Sequence, residues 1–236
     1  MRGGTYREAV GIELIGTQDH PITVQAAPGE TVVIKGSEVV TGWTRDGDVW
    51  RKDGWTKEYV TQNFAKGTQL VSPNLLEVYQ QDGIRGEAVV LYRVRTPEEL
   101  REGKCYWDEA TGTITIWPVR TAGDFDPNVN GVEIPVRGPG LSVQKQWVRV
   151  RGFQVRQCGM GMITNWPSAG VHGRNCSMED CIVTWCDFGG ISLSGFRCSV
   201  LRCEGSYCGD TGMGAGVGEE LLIEDCRVMH LSLIHI

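Results

Sequence analysis

The sequence predicts an all-β protein: a right-handed parallel β-helix, a single-stranded solenoid of ~22-residue coils, with a mixed-β module inserted into it. Three observations predict it. Cysteines recur as a ladder: Cys176, Cys181 and Cys186 are spaced by five, as are Cys198, Cys203 and Cys208, and the second set is the first shifted by 22. Apolar residues come in i, i+2 pairs, such as Cys176 and Met178, Cys181 and Val183, Ile191 and Leu193. A period of two marks strands. Glycine is abundant, 32 of 236 residues, about twice the usual ~7%; that suits many turns and argues against a helical bundle.

The ladder extends both ways. Cys226 follows Cys203 by 23, and a step of 28 back from Cys186, Cys181 and Cys176 reaches Cys158, Phe153 and Val148. Four columns result: Val148/Cys176/Cys198/Leu221, Val150/Met178/Val200/Ile223, Phe153/Cys181/Cys203/Cys226 and Val155/Val183/Gly205/Val228. A fifth is Cys158/Cys186/Cys208. The first coil is longer because residues Asn165 to His172 are inserted. Each coil buries its inward residues only by stacking on the next, so similar residues recur in columns. Parallel crossovers are right-handed almost always. A β-sandwich would need longer strands and hairpin signals.

Eight of the nine cysteines lie between 158 and 226, which first suggests a disulfide framework or a metal site. No CxxC pair is present, and a zinc site usually has one. The columns instead place the thiols inward, one strand spacing of ~4.8 Å apart, as small hydrophobes in a narrow core. Disulfides between coils and a metal site are the alternatives. The thiols are expected to be mostly reduced, and cysteine usage does not fix the compartment.

Residues 4–36 carry the same strand pattern: Ile12 and Leu14, Ile22 and Val24, Val32 and Ile34, with turns at His20-Pro21 and Pro28-Gly29. Residues 42–130 read differently. Longer strands are expected at Leu75–Tyr79, Glu87–Val94 and Thr113–Trp117, and Asp108–Gly112 reads as a hairpin turn. Thr96-Pro97-Glu98-Glu99 reads as a capping box opening a short helix that Gly103 ends, and Lys57–Lys66 as another helix. The strand pattern resumes with Val132, Ile134, Val136, Leu141, Val143, Val148 and Val150. The expected division is 1–41, start of the β-helix; 42–130, inserted module; 131–230, β-helix coils; and 231–236, a tail that breaks the pattern and reads as non-native. The chain reads as a fragment of a longer protein; its first residues have neither the basic nor the apolar region of a signal peptide.

Composition excludes several classes. No apolar run approaches ~18 residues, so no membrane span is expected. Net charge is −6 without a Lys/Arg cluster, which argues against nucleic acid as a partner. P-loop, HExxH and GxSxG motifs are absent. Gly212-Met213-Gly214-Ala215-Gly216 sits inside a repeat and opens no helix, so it is not read as a nucleotide loop.

The columns also predict outward stacks. Gln157/Trp185/Tyr207/His230 is one, mostly aromatic, and aromatic faces pack on the apolar faces of sugar rings. Trp185, Tyr207 and His230 are therefore candidate carbohydrate-binding residues, with Trp166 and His172 of the long loop flanking them. Mutual stacking that merely covers the coil is the alternative. Asp187 and Asp210, 23 apart, are candidate catalytic residues. Neighbouring coils would hold them roughly 5–7 Å apart, overlapping the ~5–5.5 Å of retaining glycosidases. One would attack while the other, its pKa raised by its neighbour, protonates. Turn aspartates are the alternative. Asp180/Arg202/Asp225 alternates in charge and reads as a surface ion-pair ladder. A lyase would need a base beside a uronate, for which Arg156 and Arg202 are candidates, but no acidic calcium cluster is evident. No metal or cofactor is expected.

Several stretches together resemble a known family: Gly3-Gly4-Thr5-Tyr6-Arg7-Glu8, Pro21-Ile22-Thr23-Val24-Gln25-Ala26-Ala27-Pro28-Gly29-Glu30, Val33-Ile34-Lys35-Gly36-Ser37 and Val49-Trp50. They resemble bacterial right-handed parallel β-helix, pectate-lyase-like proteins, many of them carbohydrate-active. The order of β-helix start, inserted module, then Val148-Arg149-Val150-Arg151-Gly152-Phe153 is most similar to the β-xylosidase group whose β-helix is interrupted by a β-sandwich. The resemblance covers most of 1–160. It implies a glycoside hydrolase acting on plant or microbial polysaccharide, with catalytic carboxylates on coils later than those present here. A polysaccharide lyase and a non-catalytic glycan-binding or structural β-helix are the alternatives. Further expectations are a poly- or oligosaccharide partner, self-association through the open edge of the last coil, and a secreted or periplasmic location.

Overall fold

The computed structural model describes residues 1–56, 77–81, 88–119, 125–137, 139–158, 162–164, 173–186, 189–208 and 211–230. It is all-β apart from one 3-10 turn among these residues. No described helix is long and apolar enough to cross a membrane. The chain divides into two compact units: Met1–Gly36 with Arg137–Ile236, and Ser37–Val136.

The first unit holds three sheets, parallel throughout. One pairs Ile22–Gln25, Val148–Arg151, Ser177–Glu179, Ser199–Leu201 and Leu222–Glu224 in that order. The second runs Gly4–Tyr6, Val32–Lys35, Phe153–Arg156, Ile182–Thr184, Glu204–Ser206 and Arg227–Met229. The third runs Val10–Ile12, Leu141–Val143, Met162–Thr164, Ile191–Phe196 and Met213–Glu219. The described strands of this unit visit the three sheets in fixed rotation. The columns read from the sequence are the observed register: Val150 lies beside Met178, Met178 beside Val200 and Val200 beside Ile223, while Val155, Val183, Gly205 and Val228 align likewise. Inward members form one core with Phe153, Ile34, Leu141, Met178 and Leu193 fully buried.

From Trp147 onward, three sets of corners between described strands turn on a single left-handed residue. Trp147, Asn175, Arg197 and Glu220 occupy one set of corners, Asp180, Arg202 and Asp225 a second, and Gln157, Trp185, Tyr207 and His230 the third, all with φ between 51° and 58°. Gly152 takes the same role with φ 75°. A side chain in this region costs about 1–2 kcal/mol, and the ladder that continues through the corner offsets it. Asn175, Asp180 and Arg202 each donate their N–H to the next coil, to Phe196, Leu201 and Glu224 carbonyls at 2.9, 3.1 and 3.0 Å.

The corner also accounts for cysteine. Eight of the corner residues are followed by Cys158, Cys176, Cys181, Cys186, Cys198, Cys203, Cys208 and Cys226. Every one of these thiols donates back across the corner to the carbonyl two residues earlier, as Cys181 does to Glu179 at 3.2 Å and Cys203 to Leu201 at 3.3 Å. A small apolar side chain with a weak donor fits an inward position beside a carbonyl that the turn exposes. All nine cysteines are free thiols.

The second unit is an eight-stranded mixed sheet ordered Ser37–Val40, Val132–Pro135, Glu77–Gln81, Ala88–Arg93, Lys104–Asp108, Thr113–Trp117, Val49–Lys52 and Thr44–Asp46. The expected hairpin is present: Tyr106 lies opposite Thr115 and Trp107 opposite Ile114, and the Asp108 carboxylate accepts the Ala110 N–H in the turn. Leu91, Cys105, Ile114, Ile116, Val132 and Ile134 form its core. Two expectations change. The helix after Thr96 is only a 3-10 turn over Pro97–Glu99, with no cap bond from the Thr96 side chain; the Glu99 carboxylate accepts the Arg95 N–H instead. Arg93 must lie beside Cys105 in a parallel pair, so this short crossover has no room for a regular helix. Val132–Pro135, read with the following coils, pairs antiparallel with Ser37–Val40, and the buried Ser37 hydroxyl donates to Glu133 at 2.6 Å. The helix expected at 57–66 lies outside the described residues.

Candidate functional site

Three outward features of the first unit bring polar and aromatic side chains together. The first is the corner stack read from the sequence. Register places Trp185, Tyr207 and His230 one above another, and their rings stack: centroids are 4.3 Å apart at 8° between planes for Trp185 and Tyr207, then 4.6 Å at 12° for Tyr207 and His230. These distances are close to the strand spacing, so the stack follows from the coil repeat. Ring faces pack on each other; Tyr207 is 39% exposed. Gln157, read as the outward first member of this column, is instead buried at 3% exposure.

The second feature is an ion-pair ladder. Asp180 accepts from Arg202 Nε at 2.7 Å and from Arg151 Nε at 2.8 Å. Arg202 also reaches Glu179 at 3.3 Å. These partners, Arg202 foremost, hold the Asp180 carboxyl below the usual range, and Asp180 in turn raises Arg202. The ladder gains Arg151 from the preceding coil, whereas Asp225 takes no part in it. A guanidinium kept charged in this way is the wrong protonation state for a base. Arg156 donates to Gln154 at 2.8 Å while its buried Nε lacks a partner.

The third was not anticipated. Isolated bridges align Gln146, Arg174 and Phe196, and Phe196 lies beside Glu219. Phe196 carries a guanidinium over its ring from each neighbour, Arg174 at 5.0 Å and Arg197 at 4.9 Å. Arg197 is neutralised by Glu220 through two bonds of 2.8 and 3.2 Å. A groove of about 400 Å³ opens here over Gly173, Gly195 and Gly218. The sequence did hold a signal for it: Arg174, Phe196 and Glu219 are spaced by 22 and 23, the coil length.

Asp187, Asp210, Trp166 and His172 lie outside the described residues. Among those described, no group of three or more His, Cys, Asp or Glu side chains could hold a metal ion.

No known family model matches the chain, and no curated protein does. Two solved structures do. One, described as a glycoside hydrolase, is 11% identical with a TM-score of 0.35 over 96% of this chain and 88% of its own, a likeness too low to carry an argument. The other, described as the complex structure of XylC with xylose, is 20% identical with a TM-score of 0.76 over 98% of this chain. The alignment covers 48% of the XylC chain, so this chain spans about half the length of that structure and shares the fold of the half it matches.

Proposed function

We propose that the three parallel sheets are the walls of a right-handed parallel β-helix, and that the chain is part of a carbohydrate-active protein, a glycoside hydrolase acting on plant or microbial polysaccharide. The observation that carries this is the fold shared along 98% of the chain with XylC, a structure determined with xylose. One fold hosts many activities, so the sugar is argued from the surface. Trp185, Tyr207 and His230 supply donors and acceptors for sugar hydroxyls along a rigid wall. The catalytic carboxylates are proposed to lie on coils later than those present here, with Asp187 and Asp210 as the candidates within this chain. The protein is proposed to act outside the cytoplasm, secreted or periplasmic, and without a cofactor.

The test is turnover of aryl-β-xylosides and xylo-oligosaccharides by the chain and by a full-length parent, with Asp187→Asn and Asp210→Asn. Turnover lost in either variant supports the assignment of the pair. Turnover indifferent to both changes removes these aspartates from the chemistry, and binding of no saccharide removes the carbohydrate reading.

Self-association is proposed through the last coil. Ile223 and Val228, whose column mates are buried, are 41% and 45% exposed, and among the described residues no further strand pairs with Leu222–Glu224 or Arg227–Met229. An exposed strand edge with apolar inward residues templates pairing. Sedimentation should show a concentration-dependent dimer that Ile223→Lys weakens; a monomer at all concentrations would refute it.

A further inference from the structure

We propose that the groove beside Phe196 binds a carboxylate-bearing sugar, with Arg174 as the anchor of the carboxylate; the proposal rests on the carbohydrate reading and narrows it to acidic saccharides. Two arginines lie over the same ring, and they differ in one respect. Arg197 is occupied by Glu220 in a fork of two hydrogen bonds. Arg174, 5.0 Å from the Phe196 centroid, has no carboxylate partner among the described residues. A guanidinium resting on a ring is oriented, and its planar fork of donors matches a carboxylate in two-point fashion.

The groove is built for close approach. Its floor is the backbone of Gly173, Gly195 and Gly218. A Cβ on Gly218 would lie 2.3 Å from the Gly195 carbonyl oxygen, and Gly195 has φ 102°, so side chains are excluded there for reasons of space and conformation. A bulge creates the opening. Leu193 pairs with Ala215 and Gly195 with Gly218, leaving Gly216 and Val217 opposite Ser194, and Val217 is pushed out to 83% exposure. Bulges of this kind re-aim side chains and are frequent beside functional sites.

The charges along the groove also set direction. Arg174 and Glu219 lie on either side of Phe196 in the column, two strand spacings apart, roughly 10 Å. A saccharide therefore lies with its carboxylate at Arg174. Its hydroxyls face Glu219, which accepts hydrogen bonds and repels a carboxylate placed at that end. Val217 offers an apolar rim for a ring face.

The experiment is titration calorimetry of the whole chain with an oligoglucuronate and with its methyl ester, the same sugar without the charge. The oligoglucuronate should bind severalfold more tightly, as expected for an ion pair to an exposed guanidinium, and the advantage should shrink with added salt. Arg174→Gln should abolish the preference and Arg174→Lys restore part of it, with thermal stability unchanged in both. No preference in the parent chain, or a preference that survives Arg174→Gln, overturns the proposal. If neutral xylo-oligosaccharides bind while the acid has no advantage, the acidic specificity fails and the carbohydrate reading stands; if no saccharide binds, both fail.

Discussion

Replacing Gly205 by alanine or valine should destabilise the first unit, although the column around it is valine. Val155, Val183 and Val228 flank Gly205 in register, so a column argument alone would call valine an improvement. The structure says otherwise. A Cβ on Gly205 would sit 2.1 Å from the Gly212 carbonyl oxygen and 2.8 Å from its carbon. That atom is backbone, and Gly190 presses on it from the other side, its own Cβ position only 2.3 Å away. Gly212 thus fills the space that a valine side chain fills in the coil before. To restore ordinary contact the backbone must move by about 1 Å, and overpacking of this kind costs about 1–3 kcal/mol, sometimes more. With two glycines enclosing the carbonyl, we expect ~3 kcal/mol for Gly205→Ala and more for Gly205→Val. At roughly 2–4 °C per kcal/mol for a chain of this size, Gly205→Ala should lower Tm by about 6–12 °C. Differential scanning calorimetry on the chain, with the transition of each unit resolved, measures it. If the Gly205→Ala transition lies within about 2 °C of the parent, the close approach of Gly212 is not a packing constraint and the reasoning is refuted.

Other outcomes follow from the corners and the ladders. Asp225 is a corner residue with φ 53° and an exposed side chain, so Asp225→Gly should be neutral or stabilising, whereas Asp225→Val should lose about 1 kcal/mol or more in urea denaturation. The Asp180 carboxyl is held below its ordinary value by Arg202 and Arg151; its contribution is present above the unfolded pKa near ~3.9 and is lost as pH falls through the lower folded value. Stability should therefore drop below about pH 4, and Asp180→Asn should be less stable at pH 6 with a flatter acid limb. Thiol labelling of the native protein should modify Cys226 first, because Cys158, Cys181 and Cys186 are fully buried while Cys226 is part-exposed; in denaturant without reductant nine thiols should titrate, and a count near one would mean disulfides.

The repeat was legible in the sequence because a stack of coils needs matching inward residues at every level. The 22-residue shift that aligns Cys176 with Cys198 and Met178 with Val200 is a statement about neighbours in space, and the observed register repeats it. The aromatic column was legible for the same reason, and Trp185, Tyr207 and His230 stack as their spacing required. What periodicity could not show is how the chain turns. Left-handed corners at Arg197, Arg202 and Tyr207 have no local signature, because these residues do not favour that conformation; it is held by hydrogen bonds to the next coil, which exist only after stacking. The thiol contact across each corner has the same origin.

The limits of the inserted unit were also a tertiary matter. The change of strand pattern fell at 42 and 130, but Ser37–Val40 and Val132–Pro135 pair with each other, and pairing across nearly a hundred residues leaves no trace in local alternation. Likewise the single turn at Pro97–Glu99 carries helix-start residues that a short parallel crossover overrides. Arg174, Phe196 and Glu219 were spaced in the sequence by the coil length. Their meaning depended on a bulge at Val217 and on Glu220 occupying Arg197, while Arg174 has no carboxylate partner among the described residues. Sequence alone determined which residues share a column, through the period of the repeat. The fold decided which members of a column are buried, bent or left with unsatisfied charge, because those properties depend on atoms that lie a whole coil away.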